Sequence, residues 1–306
     1  MMLFAKKLAK ANVLLPPISA RALLHEHMRG RKPARPLTKV HASELTKEDG
    51  ICPRLYALND IDDTKPPDQW LSTSQVLTYD IGHMVQEHIA QTFADMGRAI
   101  GDWKCVACKK LYPFQQRPTT CSCGSKSFKH QELRFESAVS GASCGVDLLL
   151  NLTPKALTPI EIKTIESEAF KELVAPLAEH KLRTNLYLRL ISESADPKAK
   201  TIDTERALVL YVSKGGFGTK DPTLKSHGIN DVFSPMKEWV VKRDDSQTDK
   251  LVAMAAIVKK WREGAIDMPH GVCTTALSKR ASGCHHKALC FSGKHPPAHD
   301  WQEAEA

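Results

Sequence analysis

The feature that most constrains this 306-residue chain is the grouping of its cysteines, because seven of the nine fall into two short segments. Residues 105–123 hold four of them, and residues 273–290 hold three. A chain of this length can bury a hydrophobic core without the disulfides that small secreted scaffolds need. Clustered thiols in such a chain are typical of metal ligands in a reducing compartment. The sequence therefore predicts a fold that is held at two places by metal.

The first cluster combines a C-x₂-C pair with a tighter C-x-C pair that is followed by glycine. Four thiolates can close a tetrahedral Zn²⁺ site and so fold a segment that has few aliphatic residues of its own. We expect an inserted zinc ribbon over residues 102–130. The basic residues around it can contact a phosphate backbone, and an ordinary solvated surface is the alternative. The predicted zinc ligands are Cys105, Cys108, Cys121 and Cys123.

Charge is distributed unevenly along the chain, which carries 43 Lys and Arg against 35 Asp and Glu. Residues 1–40 hold nine of the basic residues and one acid, whereas residues 41–306 hold 34 of each sign. This excess predicts a basic, solvated N-terminal arm over residues 1–40, which permits a polyanionic partner. Glycine and prolines predict an irregular linker over residues 28–39.

Composition and targeting signals narrow the class of protein. With 42% hydrophobic and 25% charged residues, the chain is neither disordered nor fibrous. It has no apolar run of membrane-spanning length, and no convincing secretory cleavage site follows the basic start. We expect a soluble, cytoplasmic protein, with a mitochondrial presequence as the alternative interpretation of the acid-poor start.

Helical and strand patterns alternate along residues 41–306, which predicts an α/β domain. Strands are predicted over Cys144–Leu152, Thr158–Ile165 and Ala207–Ser213. Helices are predicted over Ser74–Gly97, over Phe170–Ser192 with a break at Pro176, and over Leu251–Glu263. The first helix has one core-facing stripe, formed by Gly82, Val85, Gln86, Ile89, Phe93 and Met96.

Two carboxylates and a lysine lie on the first two predicted strands. Side chains alternate along a strand, so Glu161 and Lys163 share a face, and a hairpin can bring Asp147 beside them. Two carboxylates can hold Mg²⁺ and leave positions for water and a phosphate. Lys163 can orient that water or stabilise the developing negative charge. The alternative is an exposed strand face that carries an ordinary Glu–Lys pair.

The order of these three residues resembles the PD-(D/E)XK nuclease superfamily. G-V-D at residues 145–147, followed by I-E-I-K-T at residues 160–164, matches its Asp…Glu-x-Lys arrangement, with Val146 in place of proline. The resemblance implies a restriction-endonuclease-like core over residues 41–306, in which helices flank a mixed central sheet. It also implies hydrolysis of DNA phosphodiester bonds with Mg²⁺ or Mn²⁺, which Asp147 and Glu161 would hold.

Further segments resemble the RecB-like, iron–sulfur-containing branch, which includes CRISPR-associated exonucleases and phage-encoded relatives. ICPRLYAL at residues 51–58 is similar to its Cys-Pro-Arg segment, and GHMVQEHI at residues 82–89 is similar to a helix with His or Glu four residues after Gly. Here that position is Gln86, a poorer ligand. The alternatives are His83, Glu87 or His88, or a site that relies on Asp147, Glu161 and the Ile162 carbonyl.

A later helix in these relatives carries His…Gln…Tyr, where this chain has His180, Arg183 and Tyr187. The resemblance implies that these three residues bind substrate. The planar fork of Arg183 could bind a phosphate through two parallel hydrogen bonds. A solvated amphipathic helix is the alternative.

The resemblance also supplies a fourth ligand for the second cysteine cluster. RecB-like nucleases join one N-terminal cysteine to a C-terminal trio around a structural 4Fe-4S cluster, and the final C-x₅-C spacing of this chain matches theirs. Zinc is the alternative metal, because His285 and His286 adjoin the trio. The implied ligands are Cys52, Cys273, Cys284 and Cys290.

Taken together, the resemblance implies a metal-dependent DNA exonuclease or end-processing nuclease that acts in recombination, replication or repair in a bacterial or phage-infected cell. One alternative is a catalytically silent nuclease fold that serves as a DNA-binding or scaffold module, as Gln86 and Arg183 suggest. Another is a structure-specific endonuclease that works with a recombinase or transposase. The expected partners are DNA and a recombination, replication or transposition protein, and no membrane.

Overall fold

The computed structural model describes residues 28, 30–32, 37–48, 50–62, 69–215, 218–220 and 233–292. Most of the basic arm predicted at residues 1–40 lies outside these residues. The chain divides into two compact units. The smaller consists of Met1–Arg35 with Pro66–Ile81, and the larger of Pro36–Lys65 with Gly82–Ala306.

Strands and helices are numbered in chain order. The strands are β1 (Gly30–Lys32), β2 (Val40–His41), β3 (Gln69–Leu71), β4 (Ala99–Cys105), β5 (Leu111–Gln115), β6 (Phe128–Gln131), β7 (Leu133–Glu136), β8 (Ala142–Val146), β9 (Leu148–Leu150), β10 (Thr158–Ile165), β11 (Arg206–Ser213), β12 (Thr219–Lys220), β13 (Phe233–Ser234) and β14 (Met236–Lys242). The helices are α1 (Ala42–Leu45), α2 (Pro53–Ile61), α3 (Thr73–Asp95), α4 (Ser167–Glu172), α5 (Ala178–Ser192), α6 (Asp249–Arg262), α7 (Lys279–Ser282) and α8 (Lys287–Cys290), with 3₁₀ turns at Pro197–Thr201 and Asp245–Gln247.

The smaller unit contains the antiparallel pair of β1 and β3. The prediction of irregular linker over residues 28–39 is therefore wrong at residues 30–32. Pairing with a neighbouring strand satisfies the backbone of so short a strand whatever its side chains are. In this unit Ser72 begins α3 with a capping box, in which the Ser72 hydroxyl accepts from the backbone N–H of Gln75 while the Gln75 side chain accepts from the Ser72 N–H.

A seven-stranded mixed sheet forms the framework of the larger unit, in the order β14-β11-β10-β9-β4-β5, with β6 also paired to β4. Strands β10 and β11 are parallel, and the other neighbours are antiparallel. Alternate side chains of β9 enter two different hydrophobic clusters: Leu149 packs with residues of α5 and α6, whereas Leu148 and Leu150 pack with Ala90 of α3. Helices thus flank both faces of a mixed sheet, as predicted.

A second, three-stranded sheet has the order β2-β8-β7. It contains the first half of the predicted strand Cys144–Leu152, which the structure divides into β8 and β9 on either side of Asp147. The prediction of one continuous strand is wrong because the two halves pair with different neighbours, and the backbone bends between them. The predicted hairpin is confirmed for β9 and β10, which pair antiparallel.

The remaining predicted elements agree with the structure to within a few residues. Strand β11 and helices α3 and α6 lie at the predicted places, and α4 and α5 are separated around Pro176. The stripe predicted on α3 is wrong at Met96, which follows the helix and is 62% exposed. Within the described residues, no helix combines the length and the apolar character needed to cross a membrane.

Helix α3 ends in a Schellman motif, in which Arg98 N–H donates to the Phe93 carbonyl and Gly97 N–H donates to the Ala94 carbonyl. Gly97 has a φ of 68°, in the left-handed region that favours glycine. No atom lies within 4 Å of where a Cβ would be, so a side chain at this position would bring backbone strain but no clash.

We expect Gly97→Ala to lower the free energy of unfolding by about 1 kcal/mol, because alanine disfavours left-handed backbone. Gly97→Asn should lower it less, since asparagine tolerates this conformation. Urea denaturation of the full chain measures both. Gly283→Ala, at a helix end with φ near −91°, is the matched control and should change stability little. Equal losses at both positions would contradict this explanation.

Candidate active site and metal centres

Asp147 occupies the bend between β8 and β9, where the chain passes from one sheet to the other. Leu148 of β9 pairs with Ile160 of β10, so one further step of that register brings Asp147 to the level of Glu161. The Oδ2 atom of Asp147 accepts a hydrogen bond of 2.8 Å from the backbone N–H of Ile162. The buried carboxylate, 9% exposed, is thereby fixed beside the middle of β10.

Glu161 and Lys163 project from the same face of β10, and their neighbours Ile160 and Ile162 enter a hydrophobic cluster. The Lys163 ammonium donates to Oε1 of Glu161. Glu161 is only 3% exposed, and its other oxygen, Oε2, is buried. That oxygen has no hydrogen-bond partner among the described residues. Buried polar atoms are ordinarily paired, so this oxygen is suited to a cation or a water molecule.

Burial raises the pKa of Asp147 well above its usual range, and the charge of Glu161 raises it further. Burial lowers the pKa of Lys163, but the charges of Glu161 and Asp147 outweigh it, so the net shift is upward. Among the described residues, Lys163 forms an ion pair with Glu161, and Asp147 forms none. The donor set and the unpaired Oε2 atom both fit a divalent cation with oxygen ligands.

Helix α5 places three predicted substrate-binding residues near this group. His180 Nδ1 hydrogen-bonds to the Tyr211 hydroxyl at 2.8 Å, and burial together with the charges of Lys163 and Arg183 lowers the pKa of His180 to about 4. Arg183 donates from Nε to the Thr46 hydroxyl at 3.4 Å.

Tyr187, one turn further along α5, lies close enough to the carboxylates to be affected by them. Burial and the charges of Glu161 and Asp147 raise its pKa, so the phenol stays protonated. The helix therefore presents a neutral imidazole, a guanidinium and a neutral phenol toward the Asp147–Glu161–Lys163 group.

Gln86, at the position where the resemblance implies a metal ligand, is half-buried and lines a cavity between α3 and the strands β6 and β7. His83 and Glu87 line the same cavity, and Glu87 pairs with Lys129 at 3.3 Å. His88 is exposed. The cavity is also lined by Glu132, which the sequence analysis missed, because only the pairing of β7 with β8 brings it near Asp147.

The first cysteine cluster lies where β4 ends and the ribbon of β4, β5 and β6 turns. All four sulfur atoms lie within 4.8 Å of one another. Two of the sulfur pairs are separated by 3.7 Å (Cys105 to Cys123) and 3.5 Å (Cys108 to Cys121). Tetrahedral zinc with bonds of about 2.3 Å requires sulfur atoms about 3.8 Å apart. The group thus has the size of a site for one ion.

Backbone turns hold these thiols in place. Lys109 N–H donates to the Cys105 carbonyl, and Gly124 N–H donates to the Cys121 carbonyl, with φ angles of 64° at Lys109 and 86° at Gly124. The Cys123 backbone N–H, together with the Tyr112 hydroxyl 3.2 Å from the sulfur, lowers the pKa of Cys121 to about 5. A thiolate, the form that binds metal, is favoured there.

The second cysteine group is more widely spaced. Its members line one small apolar cavity, but no three of their sulfur atoms lie within 4.8 Å of one another. His286 is 1% exposed, and its Nδ1 atom lies 3.2 Å from the Asp62 carboxylate. The fold brings residues from distant parts of the chain to this one cavity. They are Cys52, Cys273, Cys284 and Cys290.

No protein-family model matches the chain, and no curated protein matches it either. Among solved structures, the alkaline exonuclease LHK-Exo from Laribacter hongkongensis matches with 12% identity and a TM-score of 0.40, over 74% of this chain and 89% of that chain. Its complex with dAMP matches over the same shares with 12% identity and a TM-score of 0.39. A protein designated SSO0001 matches with 14% identity and a TM-score of 0.36, over 79% of this chain and 83% of that chain.

The raised pKa of Asp147 has a consequence for stability without metal. An acid whose pKa is higher in the folded state stabilises the fold below its unfolded pKa, about 4, and loses that contribution as pH rises through the folded value. Asp147→Asn keeps an oxygen that accepts from Ile162 but removes the charge. In EDTA we expect this variant to melt at a higher temperature than the wild type, with a larger difference at pH 8 than at pH 5.

Differential scanning fluorimetry at both pH values makes the measurement. Glu168→Gln, an acid-to-amide change on the surface of α4, is the control for the substitution itself. A difference for Asp147→Asn that does not grow with pH would contradict the raised pKa of Asp147.

Proposed function

We propose that this chain is a Mg²⁺- or Mn²⁺-dependent DNA nuclease of the PD-(D/E)XK type, acting as an exonuclease or end-processing enzyme in recombination, replication or repair. The observation that carries the proposal is the buried group of Asp147, Glu161 and Lys163, with its unpaired Glu161 oxygen. The order of these residues along the chain, G-V-D and then I-E-I-K-T, supports the same conclusion.

Asp147 and Glu161 would hold the cation through carboxylate oxygens. When bound, such an ion polarises the phosphodiester and lowers the pKa of its water, so that hydroxide is available near neutral pH. Lys163 keeps its proton at neutral pH, since Glu161 and Asp147 raise its pKa, and its ammonium stabilises negative charge that develops on the phosphate.

Substrate is proposed to bind along α5. The guanidinium of Arg183 can bind two phosphate oxygens at once. It also carries a positive charge, which a glutamine at this position would lack. His180 is neutral at pH 7, because its pKa is lowered to about 4, and therefore serves as a hydrogen-bonding group. Tyr187 offers its hydroxyl as a further polar contact beside the carboxylates.

Zn²⁺ is proposed for the ribbon cluster, in support of which the sulfur separations are those of a single tetrahedral ion. The ribbon also carries exposed basic side chains that can contact DNA phosphates. These are Lys104, Lys109, Lys110, Lys126 and Lys129.

A 4Fe-4S cluster is proposed for the second cysteine group. Its wide spacing supports this assignment, because several iron atoms separate the cysteine sulfurs of such a cluster, whereas one zinc ion draws them together. Zinc is the alternative here, because both ring nitrogens of the buried His286 lack a hydrogen-bond partner among the described residues, although Nδ1 lies 3.2 Å from the Asp62 carboxylate. The role is structural, since the cluster joins α2 to the C-terminal helices.

One observation favours a second candidate function, a catalytically silent DNA-binding or scaffold module. Gln86 stands where the resemblance implies a His or Glu ligand, and it lines a cavity between α3 and the strands β6 and β7. A site that had lost its ligand would bind DNA in a salt-dependent manner but would not cut it. A recombination, replication or transposition protein is the expected partner in either case.

We expect Glu161→Gln and Lys163→Met each to lower the rate of DNA cleavage by at least about 100-fold while the protein stays folded. Release of nucleotides from linear DNA with Mg²⁺ or Mn²⁺ measures the rate. The matched control is the exposed pair Glu168 and Lys171, separated by 2.9 Å, whose corresponding substitutions should cut normally.

Two outcomes would change the proposal. Normal cleavage by both site variants would refute it, and salt-sensitive DNA binding by the wild type without cleavage in any divalent metal would favour the silent module. Closed circular DNA tests the endonuclease alternative, because an exonuclease leaves a closed circle intact.

Metal content separates the two cysteine groups. We expect protein purified without oxygen to contain about one zinc ion and about four irons with sulfide, and to be brown. Cys108→Ser should remove the zinc and make residues 105–123 sensitive to protease, because a zinc-held ribbon unfolds without its ion. Cys284→Ser should remove the iron and leave the zinc in place. Two equivalents of zinc and no iron would overturn the iron–sulfur assignment.

A further inference from the structure

Glu132 lies at the junction between β6 and β7, on the cavity that Gln86 also lines. Strand β7 pairs antiparallel with β8, with Leu133 opposite Val146 and Arg134 opposite Gly145. One further step of this register brings Glu132 to the level of Asp147. Residues at the same level of an antiparallel pair have Cβ atoms about 5 Å apart, which is within reach of two carboxylate side chains.

Gly145 provides the room for this carboxylate. A Cβ added at Gly145 would lie 2.9 Å from Oε2 of Glu132, closer than real Cβ contacts come. The glycine of the G-V-D segment therefore lets the Glu132 side chain fold across β8, two residues before Asp147. A side chain at this position would push the carboxylate away.

The negative charge of Glu132 is only weakly compensated by a neighbouring cation. Its described ion pair is with Arg134, at 3.9 Å, on a side chain that is largely exposed. Its negative charge contributes to the raised pKa of Asp147. Within the proposed site, Oε2 of Glu161 is buried without a hydrogen-bond partner among the described residues. The carboxylate oxygens of Glu132, Asp147 and Glu161 do not all lie within 4.8 Å of one another, so one ion could bind all three only after the exposed Glu132 side chain turns toward the other two.

We propose that Glu132 supplies the third carboxylate of the divalent-metal site, which α3 does not supply because it carries Gln86. Glu132 is 41% exposed, so it forms the solvent-facing side of the site, and Asp147 and Glu161 form the buried side. The inference rests on the proposed nuclease function and specifies which side chains hold the cation. It assigns the third carboxylate to the junction between β6 and β7, and Gln86 lines the same cavity.

The test is Mn²⁺ binding to the full chain with its cysteine clusters loaded, measured by electron paramagnetic resonance of free Mn²⁺, alongside DNA cleavage. We expect Glu132→Gln to weaken Mn²⁺ binding by about 10-fold or more, the size of effect seen when a supporting group of a metal site is removed. Gly145→Ala should weaken it as well, through displacement of the same carboxylate. The matched control is Glu136→Gln, on the same face of β7 but paired with Lys39.

Each result decides between explanations. Mn²⁺ affinity within twofold of wild type for Glu132→Gln, together with weakened binding for Glu161→Gln, would overturn the inference and leave the nuclease proposal standing. Normal Mn²⁺ affinity for Glu161→Gln, with unchanged cleavage, would overturn the nuclease proposal itself. Weakened binding for Glu132→Gln and Gly145→Ala but not for Glu136→Gln would support the inference, and partial recovery in Glu132→Asp would show that the carboxylate is responsible.

Discussion

The hydrogen bond from the Ile162 N–H to the Asp147 carboxylate is the interaction on which the arrangement of the site depends. The ladder between β9 and β10 ends at the pair Leu148 and Ile160, because the chain bends away at Asp147 into the other sheet. The bend leaves a backbone donor of β10 without a strand partner, and a buried donor of this kind must be satisfied. The Asp147 side chain replaces the missing strand, so the residue that joins the two sheets is also the residue held beside Glu161.

Much of this architecture follows from local sequence. The features that local sequence does not predict share one cause. Period-two alternation correctly places Glu161 and Lys163 on one face of β10, and helical periodicity locates α3, α5 and α6. The division of residues 144–152 into two strands was not predicted, because C-G-V-D-L-L-L reads as one apolar run and nothing in it shows that its halves pair with different strands. Glu132 was missed for the same reason, since strand register cannot be read from a single sequence.

The two cysteine groups show how far spacing alone can lead. C-x₂-C and C-x-C predict four thiols that converge, and the structure brings them to within the span of one ion. The other group could be assembled only through a resemblance, because Cys52 is more than 200 residues from its companions in the chain. Its members do share one cavity. The difference in their spacing is a property of the folded chain that no count of intervening residues contains.

Strand β4 belongs both to the ribbon and to the main sheet. It pairs with β5 and β6 at its ribbon end and with Leu149 and Leu150 of β9 at its other end, two residues from Asp147. On the proposed metal assignments, a chelator therefore acts on this protein twice. Removal of the exchangeable cation would stop the reaction at once and reversibly, whereas slow extraction of zinc would loosen β4, which borders β9 within the sheet two residues from Asp147. Added magnesium would then restore only the first of these two losses.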